Sequence, residues 1–192
     1  MTQARTLADF VAGTAAITGN PTFSGTVIGA GKDWTESAAI GTLDSAAHTV
    51  TGIPSGTREI MMTWNDVGHS GSSGVSPRIQ LGTSGGIVTS GYIGFYEYVY
   101  SGSTHASTSQ SVGLADFGNW GASTDWDGYC YAFCSDLSGH VWFSQSAMQI
   151  NTSYDGVYRN YSRVDLSAEV DRISMNVQSG TFNTGTARVF YK

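Results

Sequence analysis

The most constraining feature of the chain is a strict alternation of apolar and polar residues close to its C-terminus, over 170–177. Successive side chains of a β-strand point to opposite faces, so this period predicts a strand covered on one side only. Its apolar face is formed by Ile173, Met175 and Val177. A glycine-containing loop and a second β-prone run, 186–191, follow. Two antiparallel strands are not stable alone, so we expect this closing hairpin to join a sheet that includes the run 57–64.

The rest of the chain repeats this pattern of short β-prone runs and turns. Further runs occupy 77–82, 95–100, 129–134 and 140–144, while 118–128 and 151–163 are rich in turn-forming residues and are interpreted as loops, the second with a ragged hairpin as the alternative. Eight or more short strands at this spacing predict an all-β, antiparallel β-sandwich or jelly roll. Because no long helical period follows residue 12, a parallel α/β fold is excluded.

Residues 1–31 have a different character and are predicted to be an N-terminal anchoring or oligomerisation segment, with the head domain over 32–192. Residues 6–13 predict a short helix that Thr6 caps and Gly13 ends. Glycines then recur beside small apolar residues. The segment is either a flexible linker or a structure that orders by packing against its own copies or a partner protein. In the second case the packing residues are Leu7, Phe10, Val11, Ile17, Phe23, Val27 and Ile28.

Composition excludes several functions. Charged residues make up 12% of the chain and the net charge is −6, with two lysines and seven arginines, so no basic surface is available to neutralise phosphates and nucleic-acid binding is not expected. No run is long and apolar enough for membrane insertion, and no secretion signal is present. Cys130 and Cys134 would lie about 13 Å apart on one face of a strand, which favours two packed thiols over a disulfide or a metal site.

No catalytic pattern is complete. The chain has neither a phosphate-binding loop nor a nucleophile elbow with its acid and histidine, and its four histidines are isolated in sequence: His48, His69, His105 and His140. The run 125–128 resembles only the start of a calcium loop, and a turn capped by aspartates is favoured there. Paired carboxylates that meet only in three dimensions stay open. We therefore expect no enzyme, no cofactor and no metal.

Aromatic residues are the positive signal. Several lie in or beside polar loops, and three tyrosines share one face of the run 95–100. Aromatic rings flanked by hydroxyl and amide groups suit a surface that binds sugars or proteins, although the same rings could cap the core or pack between subunits. The candidate contact residues are Tyr96, Tyr98, Tyr100, Trp120, Trp126, Tyr154, Tyr158 and Tyr161, with Tyr129 beside them.

Four stretches of the sequence carry a resemblance to a known family. They are 53–60 (Ile-Pro-Ser-Gly-Thr-Arg-Glu-Ile), 79–92 (Ile-Gln-Leu-Gly-Thr-Ser-Gly-Gly and its continuation to Tyr92), 170–173 (Val-Asp-Arg-Ile) and 185–191. Together they resemble the β-rich domain of tail fibre proteins from tailed bacteriophages, and residues 6–10 and 22–27 are similar to segments found upstream in phage fibres. Residues 95–165 match no known pattern.

The resemblance implies a virion structural protein, made in the host cytoplasm and placed in the tail. Such proteins are usually homotrimers that attach to other virion proteins and contact a glycan or protein on the host cell surface; the family has no catalytic residues to transfer. The variable middle of the chain suits recognition, because binding residues are often carried by loops on a fixed scaffold. The alternatives are a trimeric capsid decoration protein and a carbohydrate-binding module.

The segment boundary gives a first testable prediction. Deleting residues 1–31 is expected to leave a folded β-domain but to weaken assembly, because the apolar residues of this segment are assigned to association. Circular dichroism with thermal unfolding measures the first effect, and light scattering measures the second. Unfolding of the remaining domain would show that the boundary is misplaced.

Overall fold

The alternation found in the sequence is realised as strands in the computed structural model, which describes residues 33–37, 40–71, 77–100, 106–117, 125–151 and 156–192. These residues belong to one unit, Asp33–Lys192. The predicted helix over 6–13 and the glycine-rich segment lie outside the described residues. So do the seven residues assigned to association: Leu7, Phe10, Val11, Ile17, Phe23, Val27 and Ile28.

Fourteen β-strands account for most of the described chain. In order they are β1 (Thr35–Glu36), β2 (Ile40–Thr42), β3 (Ala47–Thr51), β4 (Glu59–His69), β5 (Pro77–Thr83), β6 (Gly86–Ile87), β7 (Ile93–Tyr100), β8 (Ala106–Gln110), β9 (Ala115–Asp116), β10 (Asp125–Asp136), β11 (Val141–Asn151), β12 (Gly156–Asp165), β13 (Arg172–Val177) and β14 (Phe182–Tyr191).

The strands form two antiparallel sheets. The large sheet has the order β1-β14-β4-β10-β11-β12-β7-β8, with β2 also paired to β14, and the small sheet has the order β3-β13-β5-β6, with β9 paired to β5. One hydrophobic core contains residues from both sheets, so the fold is sandwich-like. The prediction of an all-β protein with antiparallel sheets is confirmed.

The predicted inward faces are confirmed for the strands with plain apolar alternation. Ile60, Met62 and Trp64 of β4 are buried, as are Ile79 and Leu81 of β5. In β13 the buried apolar residues are Ile173, Met175 and Val177. Alternate exposure of successive residues follows from the pleat of the strand, and this period was readable from the sequence.

The prediction that the last two strands form a hairpin is wrong. β13 pairs with β3 and β5 in the small sheet, whereas β14 pairs with β4 in the large sheet. The connection over 178–181 therefore crosses from one layer of the sandwich to the other. Gly180 permits the crossing because it adopts a φ of 76° and a Cβ there would lie 2.8 Å from the Gly71 nitrogen. The expected pairing of the last strand with the run 57–64 is confirmed, since Val189 lies opposite Met62.

Two regions interpreted as loops contain regular strand. Residues 156–165 form β12, which is paired along its length with β11 and β7. Its alternation was hidden because the inward positions carry polar residues, among them Asn160 and Ser162, both buried. Likewise β10 starts at Asp125, so Trp126 lies in a strand and not in a loop.

Cys130 and Cys134 are both free thiols on β10, as the strand geometry predicted. Cys130 is buried and Cys134 packs against the core from the same side of the strand. Burial in this environment raises the pKa of the Cys130 thiol to about 12. The protonated side chain therefore behaves as a small apolar residue.

Buried hydroxyls of the large sheet bind the segment that connects β8 to β9. Ser144 Oγ of β11 donates to the Leu114 carbonyl at 3.1 Å, and Ser162 Oγ of β12 donates to the Gly113 carbonyl at 3.2 Å. The same segment reaches the small sheet, where the Leu114 amide donates to the Ile79 carbonyl at 2.7 Å. This segment therefore joins the two layers through backbone groups that would otherwise be buried without partners.

Buried amide side chains complete this connection. Asn160 is fully buried; its Oδ1 accepts from Gln110 Nε2 at 2.9 Å and its Nδ2 donates to the Asp116 carbonyl at 3.4 Å. From the other sheet, Gln80 Nε2 donates to the Val112 carbonyl at 2.6 Å. Side chains of both layers thus hold one short stretch of backbone.

Three of the stretches that carry the family resemblance meet in space. The Asp171 amide donates to the Gly82 carbonyl and the Ile53 amide donates to the Asp171 carbonyl, both at 2.9 Å. Arg172 lies opposite Gly82 in the ladder between β13 and β5. A Cβ at Gly82 would collide with the Gly86 carbonyl and with the Arg172 side chain. These residues therefore build the scaffold of the small sheet.

The buried amide of Asn160 gives the second prediction. Asn160→Ala is expected to lower the free energy of unfolding by about 1–3 kcal/mol, because the Gln110 amide and the Asp116 carbonyl lose a buried partner. The neighbouring exposed substitution Arg159→Ala removes only a 3.8 Å surface ion pair with Glu97 and is expected to cost less than about 1 kcal/mol. Urea unfolding measures both; equal losses would contradict a structural role for the buried amide.

Candidate interaction surface

The outer face of the large sheet carries an unusual concentration of exposed hydrophobic side chains. In the described part of the chain, nine large hydrophobic residues are 38% to 69% exposed. All nine lie on this face or directly beside it, and we call them the aromatic face: Trp34, Ile93, Phe95, Val99, Tyr129, Phe133, Phe143, Val157 and Tyr161. Single exposed hydrophobic residues are ordinary, but a concentration of this size on one face of a sheet indicates an interaction surface.

Four rings form the first half of this face. Phe133 of β10 lies directly opposite Phe143 of β11, with ring centroids 5.8 Å apart and nearly parallel planes. Tyr131 stacks beside Phe133 at 6.2 Å, and Trp34 meets Tyr131 edge-on at 6.3 Å. We call these four residues the Phe133 cluster. Cross-strand aromatic pairs stabilise the sheet that carries them, so the cluster is ordered without any partner.

The second half lies on the next two strands. Phe95 of β7 is directly opposite Tyr161 of β12, with ring centroids 5.3 Å apart. Ile93, at 69% the most exposed residue of the face, lies on the same side of β7. We call Ile93, Phe95 and Tyr161 the Phe95 cluster.

A shallow depression of about 470 Å³ separates the two clusters. Its walls include Phe133 and Phe143 on one side and Phe95 and Tyr161 on the other. Gln145 and Arg163 also line it. The depression is therefore largely apolar, with an amide and a guanidinium group inside its rim.

Two ion pairs lie among the exposed hydrophobic residues of the face. Arg163 Nη2 lies 2.8 Å from Asp165 Oδ2, and Arg159 Nη1 lies 3.8 Å from Glu97 Oε1. Pairing leaves the face with little net charge of its own. A partner with a strongly acidic or basic surface would find no complementary field here.

One hydrogen-bonded group fixes the edge of the Phe133 cluster. The Tyr131 hydroxyl donates to Glu59 Oε2 at 2.6 Å, Lys192 Nζ lies 3.1 Å from Glu59 Oε1, and the same ammonium lies 4.9 Å from the centre of the Trp34 ring. The hydrogen bond from Tyr131 is the main cause that lowers the pKa of Glu59, with Lys192 adding to it. Partial burial, followed by the hydrogen bond to Glu59, raises the pKa of Tyr131 to about 12.

The residues proposed from the sequence as contacts separate into three groups. Tyr161 is 40% exposed and belongs to the aromatic face. Tyr96 and Tyr98 point to the opposite side of β7 and pack against the core. Trp126 and Tyr158 are buried core residues, Trp126 stacking on His69 at 4.9 Å and Tyr158 on Tyr98 at 5.3 Å.

Burial corrects the expectation that Trp126 and Tyr158 project from polar loops towards a ligand. Both side chains point inward from strands, so neither is available to a partner in this conformation. Trp120 and Tyr154 lie outside the described residues. Tyr100 is the last residue of β7; its backbone belongs to the described residues and its side chain does not.

The exposed phenylalanines are functional candidates that sequence reasoning missed. Phe95 lies on the exposed face of its strand, opposite Tyr96 and Tyr98, as the alternation of the run 95–100 indicates. The sequence did not indicate which face was inward. On β11 and β12 the inward positions include Ser144 and Asn160, whereas Phe143 and Tyr161 point outward, so both faces of these strands carry a mixture of polar and apolar residues. Only the pairing of the strands in the sheet shows which of their faces points outward.

Several connections leave the large sheet at one end. Asp125 pairs with Asn151, and Trp126 pairs with Val67, so the end of β4, the start of β10 and the end of β11 are neighbours. Gly156 pairs with Tyr100, which places the start of β12 and the end of β7 at the same end. The connections that contain the candidate residues Trp120 and Tyr154 join strands at this end.

No protein-family model matches the chain, and no curated protein shows significant similarity to it. Within the described ranges, no three histidine, cysteine or acidic side chains group as metal ligands would. The described residues also include no helix with the length and apolar character needed to cross a membrane.

The carboxylate beside the Phe133 cluster gives the third prediction. The pKa of Glu59 is lowered in the folded chain, so its stabilising effect is complete above the pKa of the unfolded chain, about 4.3, and is lost as the pH falls through the lowered value. Glu59→Gln is expected to destabilise the protein by about 1 kcal/mol at pH 7, since the group is partly exposed, and the difference should vanish on acidification. Urea unfolding at several pH values measures this.

The control for this prediction is Glu36→Gln, which removes an exposed carboxylate 3.1 Å from Arg188 on a flanking strand. Its effect on the free energy of unfolding should be smaller at pH 7. A Glu59→Gln effect that persists unchanged at low pH would show that lost packing, and not the ionised carboxylate, is responsible.

Proposed function

We propose that this chain is a structural protein of a tailed-phage virion, a homotrimeric tail fibre or receptor-binding protein located in the tail. The proposal rests on the sequence resemblance. It is supported by one structural observation: backbone hydrogen bonds of Asp171 with Ile53 and Gly82 bring together the separate stretches 53–60, 79–92 and 170–173 that carry the resemblance. Sequence shared in three distant stretches is accounted for when those stretches form one structural unit.

In this proposal the sandwich is a rigid scaffold and recognition belongs to the connections at one end of the large sheet. These connections contain Trp120 and Tyr154, and Tyr100 lies where β7 ends. Loops carried by a rigid framework can vary without loss of the fold. The partner recognised there is a glycan or protein on the host cell surface.

The N-terminal segment 1–31 has the attachment role in this proposal. This segment, with the helix predicted over 6–13, docks on other virion proteins and helps to hold three copies together, through Leu7, Phe10, Val11, Ile17, Phe23, Val27 and Ile28. The protein acts by binding and has no catalytic role in this scheme.

A carbohydrate-binding module is the second candidate, because one observation favours it. The depression between the Phe133 and Phe95 clusters has aromatic walls and contains Gln145 and Arg163. Its volume of about 470 Å³ lies within the range of small-ligand sites. A sugar ring could stack on the rings and bond to the amide and guanidinium groups.

The location of the protein in the tail is the fourth prediction, and immunogold electron microscopy of virus particles tests it. Antibodies against the purified chain are expected to label the tail or its fibres. Labelling confined to the capsid would identify a decoration protein instead. Absence of label on particles, combined with binding of the purified full chain on a glycan array, would favour the carbohydrate-binding module.

A further inference from the structure

We propose that the aromatic face is the surface through which copies of this chain associate, so that the β-domains themselves, and not only residues 1–31, form the oligomer. The inference rests on the proposed homotrimer for its stoichiometry. It assigns the interface to the outer side of the four adjacent strands β10, β11, β12 and β7, together with Trp34. Recognition of any other partner is then left to the ends of the sandwich.

The exposed area is the first argument for a second copy. A covered aromatic side chain buries about 150–250 Å², so exposures near 40% leave roughly 60–100 Å² on each ring. Nine such side chains expose on the order of 600 Å², which is the upper end of the range of about 300–600 Å² for the largest patch on a monomer. With its polar rim, the face approaches the roughly 800 Å² per partner of a stable interface.

The chemistry of the face is the second argument. Interface cores are enriched in aromatic residues and depleted of charge, and the nine residues of this face are uncharged. Arg163 and Arg159 lie among these residues on the same outer face and have partners in Asp165 and Glu97. Covering the face therefore buries no unpaired charge, which is the costly event in association.

The division into two clusters is the third argument, because it gives the face two different patches that can meet each other, while the number of copies is taken from the proposed function. In a closed ring each copy presents two different patches, one to each neighbour. The Phe133 cluster on β10 and β11 and the Phe95 cluster on β12 and β7 are two such patches, separated by the shallow depression. Around a threefold axis, the Phe133 cluster of one copy meets the Phe95 cluster of the next.

A sugar explains less of the surface. The depression is lined by five of the nine exposed residues, so Trp34, Val99, Tyr129 and Val157 would stay uncovered by a ligand bound there. A second copy covers both clusters and the space between them. Binding of a glycan to this face is therefore the alternative that the experiment below tests.

The test measures the mass of the full chain by size-exclusion chromatography with light scattering over a dilution series. The test variant is the double substitution Phe95→Glu with Phe143→Glu, one in each cluster. Ala47→Glu with Thr51→Glu is the matched control, because it adds the same two charges at exposed positions of β3 in the small sheet. Wild type and control are expected to share one oligomeric mass, while association of the double variant weakens at least about tenfold.

Folding is checked for every variant by circular dichroism. If the double variant does not fold, Ile93→Lys with Val157→Lys replaces it, since Ile93 is 69% exposed and Val157 42%. A wild-type chain that is monomeric at micromolar concentration overturns the inference. So does a folded variant whose mass follows the wild type at every dilution, including the case in which that variant has lost binding on a glycan array.

The outcomes also separate this inference from the proposed function. A wild-type dimer that dissociates in the variants supports the interface but contradicts the trimer. A trimer that dissociates in the variants but is absent from virus particles supports the interface and contradicts the virion location.

Discussion

The sandwich depends on the hydrogen bonds that hold the short segment between β8 and β9. This stretch of backbone lies between the layers, and its carbonyl groups would be buried without partners if both sheets were purely apolar there. Ser144, Ser162 and Asn160 from the large sheet and Gln80 from the small sheet supply the donors. Backbone groups in a core must be satisfied, so the polar inward residues of β11 and β12 are a requirement of this connection.

That requirement explains why β11 and β12 carry polar residues on their inner face and apolar residues on their outer face. Because hydroxyl and amide groups occupy part of the inner face, the apolar residues of these strands are distributed over both sides. Some of them, Phe143, Val157 and Tyr161, face outward. Exposing a large apolar surface to water is unfavourable, which agrees with the proposed association of copies through this face. The inner face of β11 and β12 thus binds the segment between β8 and β9, while the outer face of the same strands carries part of the aromatic face.

The sequence predicts the strands whose polarity follows the simple rule. Runs such as 57–64 and 77–82 have one apolar face, and their inward residues are correct. β12 could not be predicted in the same way, because Asn160 and Ser162 remove the apolar period that identifies a half-buried strand. The four-residue connection over 178–181 is also ambiguous, since such a length suits a hairpin and a crossing between layers equally. The pairing of β13 and β14 with strands distant in sequence decides between a hairpin and a crossing.

The aromatic face was predictable only in part. Alternation in 95–100 separates Phe95 from the tyrosines, but which side is inward depends on the neighbours β12 and β8. The pairing of Phe133 with Phe143 requires the register of β10 and β11. Tyr161 alone was named in advance among the residues of the two clusters. Sequence reasoning favoured tyrosine and tryptophan in loops, whereas the exposed rings described here lie mostly on strands.

The position of β14 has a consequence for synthesis of the chain. This last strand lies between β4 on one side and β1 and β2 on the other, so the ion pair of Arg188 with Glu36 joins residues 152 positions apart. Until residues 182–191 have left the ribosome, β4 keeps an open edge, and β1 and β2 lack the strand with which they pair in the described structure. Long-range pairing of this kind delays folding. The large sheet therefore closes only after β14 has been made, and a chain that terminates before β14 retains an unpaired edge, the kind of site that aggregates or is degraded.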